Sequence, residues 1–191
     1  AAVYFDGFGA NLIENSTFIG NIAKGTNLHN MGGAVYSYSQ LTVKDSTFIQ
    51  NIGLRGGAVA SYNTLTVYNS TFKSNSGLHG GAIYSSRRAT IYNSTFNDNF
   101  AEYGGALYSM RDSTIFNCTF TNNTATSDNG GALYFEKTGN ITLSSFAHNS
   151  AEYGGAIFAA NDLYLMTCEF ENNTATFDGG AIEVYDGMAM A

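Results

Sequence analysis

Proline and tryptophan are absent from this 191-residue sequence, and cysteine occurs only twice. Two thiols cannot form a disulfide framework, so an oxidising compartment is neither demanded nor excluded. No apolar run approaches the roughly 20 residues that a membrane-spanning helix needs. Charge is scarce as well: Asp, Glu, Lys and Arg make up 12% of the chain, about half the usual globular share. Asn, Ser, Thr and Tyr must therefore make the surface polar. With 8 Lys and Arg against 15 Asp and Glu, the net charge is −7, which argues against a nucleic-acid partner. The sequence opens on Ala rather than Met and shows no secretory leader, as expected of a mature or excised segment. The apolar 44% suffices for one domain, residues 1–191, with a sizeable core.

What is abundant is repetition. Gly-Gly-Ala begins at Gly32, Gly56, Gly80, Gly104, Gly130, Gly154 and Gly179, in steps of 24, 24, 24, 26, 24 and 25. Phe-x-x-Asn begins at Phe18, Phe48, Phe72, Phe96, Phe120, Phe146 and Phe170. From each glycine pair to the next Phe the distance is always 16 residues; from Phe to the next pair it varies from 8 to 14. The variable arm behaves as a surface turn. Its longest form, Ile22 to Met31, is the expected place for a specific loop contact.

The fixed arm alternates. Val35, Val59, Ile83, Leu107, Leu133, Ile157 and Ile182 form one aliphatic column, and Val43, Val67, Ile91, Ile115, Ile141 and Leu165 form another. β-branched and aromatic residues mark strands; Gly and Asn mark corners. One such repeat cannot bury its own apolar face, but coils stacked at about 4.8 Å can. The expected fold is an all-β, right-handed parallel β-helix solenoid, with three short strands per coil, about 24 residues per coil and seven to eight coils. Phe and the aliphatic columns should point inward. Asn21, Asn51, Asn75, Asn99, Asn123, Asn149 and Asn173 should form an amide ladder at a corner. The glycine pair should supply positive φ and absence of bulk.

These motifs, with Asn-Ser-Thr-Phe at Asn15, Asn69 and Asn93, resemble the repeats of the chlamydial polymorphic outer membrane proteins and of methanogen adhesin-like proteins. The resemblance covers nearly the whole chain. It implies an extracellular or cell-surface β-helix in adhesion or envelope structure. It departs from the bacterial family in that no autotransporter barrel occurs within this sequence, which leaves the mode of attachment open.

Both ends read as bare strands. Ala2, Val3 and Tyr4 at one end, and Ile182, Val184 and Tyr185 at the other, carry no polar cap. A longer solenoid, or docking of one molecule on the next as a fibre, would cover them.

The outward column of the first strand reads Tyr36, Ala60, Tyr84, Tyr108, Tyr134, Phe158 and Glu183. With a second stripe at Tyr68, Tyr92 and Phe116, it offers an exposed row of rings for lateral packing or glycan contact, or simply for strengthening the strand ladders. That column holds one carboxylate, and His29, His79 and His148 fall in or beside turns of separate coils, so catalysis is not expected. Arg87, Arg111 and Lys137 share a register and could hold an anion; neutralisation by nearby Asp112 and Glu136 is the preferred reading. Cys118 and Cys168, two coils apart at about 9.6 Å, are too distant for a disulfide and should be buried, free and inert. Asn15, Asn69, Asn93, Asn117, Asn122, Asn140 and Asn172 each open an Asn-x-Ser/Thr sequon, although the repeat itself generates most of them.

Together these features predict a non-enzymatic extracellular scaffold, a fibre subunit or adhesin segment. Its partners would be copies of itself, end to end or laterally, and cell-surface glycans. No cofactor is expected. The alternative is a carbohydrate-active β-helix enzyme, a polysaccharide lyase or hydrolase.

Overall fold

The computed structural model describes residues 1–24 and 31–190. The chain winds as a parallel β-helix. Every strand pairs in parallel with its equivalents one coil away. The first sheet has eight strands: Val3–Phe5, Val35–Ser37, Val59–Ser61, Ile83–Ser85, Leu107–Ser109, Leu133–Phe135, Ile157–Ala159 and Ile182–Val184. The second has eight, from Asn11–Glu14 to Ala189–Met190, and the third seven, from Thr17–Ile19 to Glu169–Glu171. A fourth sheet, beyond the three foreseen, joins Phe100–Ala101, Thr124–Ala125, Ser150–Ala151 and Thr174–Ala175. Single bridges from Ile22 through Ile52 and Ser76 continue it to the earlier coils. Of the Ile22 to Met31 insertion, residues 25 to 30 lie outside the described residues, His29 among them.

The core is built of columns. The rings of Phe48, Phe72, Phe96 and Phe120 are fully buried and stack 4.8 to 4.9 Å apart. Burying each contributes about 1.5–3 kcal/mol, and parallel stacking adds to it. At the end coils Phe18 and Phe170 continue the stack but are only partly buried.

In its interior rungs the asparagine ladder closes its hydrogen bonds completely. Asn75 Nδ2 donates to Asn99 Oδ1 at 3.0 Å and to the Phe48 carbonyl at 3.1 Å. Its Oδ1 accepts from the Asn51 backbone N–H and from Asn51 Nδ2, both at 3.0 Å. Both amide protons and both lone pairs are thereby used, so a buried polar residue carries no desolvation penalty. The same set recurs at Asn99 and Asn123.

Neither Gly104 nor Gly105 leaves room for a side chain: a Cβ would sit 2.2 Å from the Leu107 carbonyl oxygen at the first and 2.2 Å from the Gly131 carbonyl oxygen, one coil on, at the second. The first also adopts positive φ, +59° at Gly104.

Candidate functional site

The outer face of the first sheet is a channel, not a flat surface. Its floor is the column Tyr4, Tyr36, Ala60, Tyr84, Tyr108, Tyr134, Phe158 and Glu183, in register from coil to coil. One wall is the residue before each of the first six glycine pairs: Met31, Arg55, His79, Tyr103, Asn129 and Tyr153. Bridges link most of these along the stack. The other wall is the residue two past each floor position: Tyr38, Tyr62, Ser86, Met110, Glu136, Ala160 and Tyr185.

These walls correct the expected exposure of the ring column. Tyr36, Tyr84, Tyr108 and Phe158 are each no more than 8% exposed, and Tyr134 is half-buried. The rings do stack, Tyr84 on Tyr108 at 5.7 Å and Tyr108 on Tyr134 at 4.7 Å, but large side chains rise on both sides and cover them. At the gap left by Ala60, Tyr62 leans in between Tyr36 and Tyr84, with ring centroids 5.6 and 5.7 Å away. Arg55 lies over Tyr84 at 5.2 Å and donates to the Tyr62 hydroxyl at 2.7 Å, and that hydroxyl donates to Met31 Sδ at 2.8 Å. From the second coil to the fourth the channel is thus bridged from wall to wall.

Further along, the channel turns acidic. The Tyr108 hydroxyl donates to Glu136 Oε1. Burial first, and Glu136 second, push Tyr108 well above the ordinary tyrosine range. Asp128 beside Tyr103, and then burial, push that tyrosine up to about 12. His79 stacks on Tyr103 at 5.2 Å and meets Tyr108 edge-on at 5.1 Å. Burial, then the Arg55 charge, lowers its pKa.

The channel opens at its last coils, because Ala160 stands where earlier coils place Tyr62, Met110 and Glu136. Asp128, Asn129, Tyr134, Tyr153, Phe158, Glu183 and Tyr185 line the resulting groove of about 510 Å³. Glu183 Oε2 and Asn129 Oδ1 are shielded from solvent and have no hydrogen-bond partner. Burial, then Asp178, raises the Glu183 carboxyl above its usual range. Two carboxylates therefore share one groove, where the sequence column shows only Glu183. The register that gives the floor also gives the wall columns, so Asn129 and Tyr153 could have been placed by reading the position before each glycine pair, and Asp128 as the residue before Asn129.

The other expected residues fall as follows. Tyr68 and Tyr92 stack at 5.1 Å on the second sheet, and Phe116 tilts against Tyr92 at 6.2 Å. Tyr68 and Tyr92 are half-buried, while Phe116 is exposed. Arg87, Arg111 and Lys137 are exposed at one corner with Arg88. Asp112 and Glu136 do not neutralise them: among the described residues Lys44 alone forms ion pairs, with Glu14 and Asp45. Asp112 instead accepts from the Thr138 backbone N–H at 3.3 Å. Cys118 is buried, its thiol pushed by burial up to about 11. Cys168 is free but, contrary to expectation, only partly buried, because a single further coil, the last and partial one, covers it. Ala2, Val3 and Tyr4 stand at one end of the first sheet and Ile182, Val184 and Tyr185 at the other. Among the described residues no group of three His, Cys, Asp or Glu side chains could hold a metal ion, and no helix is long and apolar enough to cross a membrane.

All seven sequon asparagines are exposed. Asn15, Asn69, Asn93, Asn117, Asn122 and Asn172 have φ between 46° and 53°, the left-handed region that Asn tolerates best after Gly. The side chains of Asn69, Asn93 and Asn117 form an outer ladder with Asp45, at 3.0, 3.2 and 2.9 Å. Backbone geometry thus accounts for these asparagines without glycan.

No curated protein and no solved structure matches this chain. The family model described as the right-handed β-helix region matches residues 1–145 and again 82–189. The chain therefore belongs to the right-handed β-helix family.

Proposed function

We propose that the chain is a non-enzymatic, extracellular structural scaffold, a stiff segment of a cell-surface adhesin or fibre. One observation carries this reading: each buried asparagine is satisfied only by the coils before and after it, so every coil is a template for the next. Such a rod grows by addition of coils without redesign of its core. At both ends of the stack core side chains lack a neighbour on one side and are only partly buried, Val3, Phe5 and Phe18 at one end, Phe170, Ile182 and Val184 at the other. A further coil, in the same polypeptide or in another copy, would cover them and pair the open strand edges. The resemblance of the Gly-Gly-Ala and Phe-x-x-Asn repeats to surface adhesins supports an extracellular location, with cell-surface glycans and copies of itself as partners.

The second reading, a polysaccharide-cleaving enzyme, is favoured by one observation: Asp128 and Glu183 line the same groove. Incubation with neutral and acidic polysaccharides separates the two. The scaffold reading expects no new reducing or unsaturated ends; their release, abolished by Glu183→Gln, would overturn it. Surface labelling of intact source cells with an antibody to the chain tests the location.

A further inference from the structure

We propose that the corner between the first and second sheets binds a doubly charged phosphoryl group, as a small phosphomonoester or as free phosphate. Two successive turns form it, one between Ile83–Ser85 and Ala89–Tyr92, the other between Leu107–Ser109 and Ser113–Phe116. They carry Arg87, Arg88 and Arg111, three of the four arginines in the chain. With Thr64 and Asp112 these line a groove of about 320 Å³. Lys137 occupies the register of Arg111 one coil on.

The frame of this corner is fixed from inside. The buried Ser85 Oγ donates to the Arg87 carbonyl at 2.9 Å, and the buried Ser109 Oγ donates to the Arg111 carbonyl at 3.0 Å. The Arg88 carbonyl accepts from the Leu65 backbone N–H at 3.0 Å. The turn backbones are thereby held, while the cationic side chains stand exposed. Among the described residues none of the four cations forms an ion pair. Half of the Lys and Arg of an otherwise acidic chain are thus gathered where they repel one another, and a bound anion relieves that repulsion. A backbone already ordered lowers the cost of binding.

The lining selects the charge of the ligand. Three guanidinium groups against the one carboxylate of Asp112 leave a surplus of two positive charges. A phosphomonoester carries about −1.5 to −2 at pH 7 and three acceptor oxygens, which guanidinium forks match in pairs. A carboxylate or a sulfate ester brings a single charge, so it gains about half the attraction. Asp112 is itself held in place, accepting from the Thr138 backbone N–H at 3.3 Å. No aromatic or aliphatic residue lines the groove, so it offers no stacking surface for a nucleobase and no apolar wall for an acyl chain. The ligand is therefore small and polar.

The site stands apart from the scaffold reading and neither needs it nor supports it. Its test is titration of the ¹⁵N-labelled protein at about pH 7.5, where the phosphoryl group is a dianion, followed by amide chemical shifts. The titrants are methyl phosphate, inorganic phosphate, methyl sulfate and galacturonate. Arg111→Ala, Asp112→Asn and Lys73→Ala, the last an exposed cation on the third sheet, are titrated in parallel, with circular dichroism to check the fold. The expected result is saturable shifts near Arg87, Arg88 and Arg111 with methyl phosphate or inorganic phosphate, at a Kd on the order of 1 mM. Arg111→Ala should weaken binding roughly fivefold and Asp112→Asn tighten it roughly threefold, while Lys73→Ala, which removes the same charge from another face, leaves it unchanged. Should Arg111→Ala not fold, Arg88→Ala decides. Tighter binding of methyl phosphate identifies an ester as the ligand, tighter binding of inorganic phosphate the free ion, and either supports the site. No saturable shifts up to about 20 mM, equal or tighter binding of methyl sulfate or galacturonate, or equal loss in Lys73→Ala would overturn the proposal.

Discussion

The ring of Phe135 fills the space that a side chain at Gly139 would occupy: a Cβ placed on Gly139 would lie 2.8 Å from Phe135 Cδ2 and Cε2. In three other coils the two positions hold a small and a larger residue in the opposite sense, Ser37 with Leu41, Ser61 with Leu65 and Ala159 with Leu163, all buried, while Ser85 with Ala89 and Ser109 with Ser113 are small at both. Relative to the Ser–Leu coils, this coil has exchanged volume between neighbouring core positions and kept the total close to constant, which is the form of substitution that close-packed interiors tolerate.

This exchange predicts strong coupling. Phe135→Ser alone should cost about 3–5 kcal/mol through the cavity left. Gly139→Leu alone should cost about 1–3 kcal/mol or more through overlap with the ring. The double variant restores the pairing of Ser61 with Leu65, so denaturant unfolding should show recovery, with a coupling energy of at least about 1 kcal/mol. Simple additivity would show that the two positions do not share the space.

Asn99 sits in the middle of the amide ladder. Asn99→Ala leaves the Asn75 N–H and the Phe72 carbonyl without their side-chain partners, each at about 1–3 kcal/mol. Thermal unfolding should report a loss of roughly 3 kcal/mol or more. Asn21→Ala, at the half-exposed end of the ladder, should lose far less.

Leu143 has φ of 53°, where preceding coils place Asn69, Asn93 and Asn117. Left-handed geometry costs a residue of this kind about 1–2 kcal/mol, and Leu143 recovers little by burial, being 47% exposed. Leu143→Asn should therefore raise stability by about 0.5–1 kcal/mol, measured as a higher melting temperature, and extend the outer Asn ladder by one rung.

Alkaline pH should unfold the channel. Burial pushes Tyr84 up to about 12, while an unfolded tyrosine ionises near 10. Between those values the native chain holds a proton that the unfolded chain has released, so stability falls as pH rises. The contribution is complete below about pH 10 and disappears as the pH passes about 12. Melting temperatures should be level up to about pH 10 and drop above it, less steeply in Tyr84→Phe.

The core was legible because its columns repeat. Phe72, Phe96 and Phe120 sit at a fixed distance from each glycine pair, and stacking makes that distance visible as sequence identity. The exposure of Tyr84 and Tyr108 was not legible from their own column, because what covers them, Arg55, His79, Met110 and Glu136, changes chemistry from coil to coil. The acidic groove is hidden for the same reason. Asp128 and Asn129 lie in a turn, and only the coil register shows that they face Glu183 and Phe158. The fourth sheet is missed because two-residue strands carry too little alternation to read.

The central claim, that equivalent positions stand directly above one another, is tested most directly by spin-label distances along the third sheet. Cys118→Ser and Cys168→Ser first restore the serine of the other coils. Labels are then placed at Thr47 and, in turn, at Ser145 and Glu169, all in the third sheet and facing away from the core. Thr47 is separated from Glu169 by five pairing steps through positions 71, 95, 119 and 145, so their backbones should lie about 24 Å apart, and Thr47 and Ser145 about 19 Å, in narrow distributions that differ by one strand spacing. Broad distributions, or separations that do not grow by about 4.8 Å per coil, would contradict the stacked architecture and every surface argued from it.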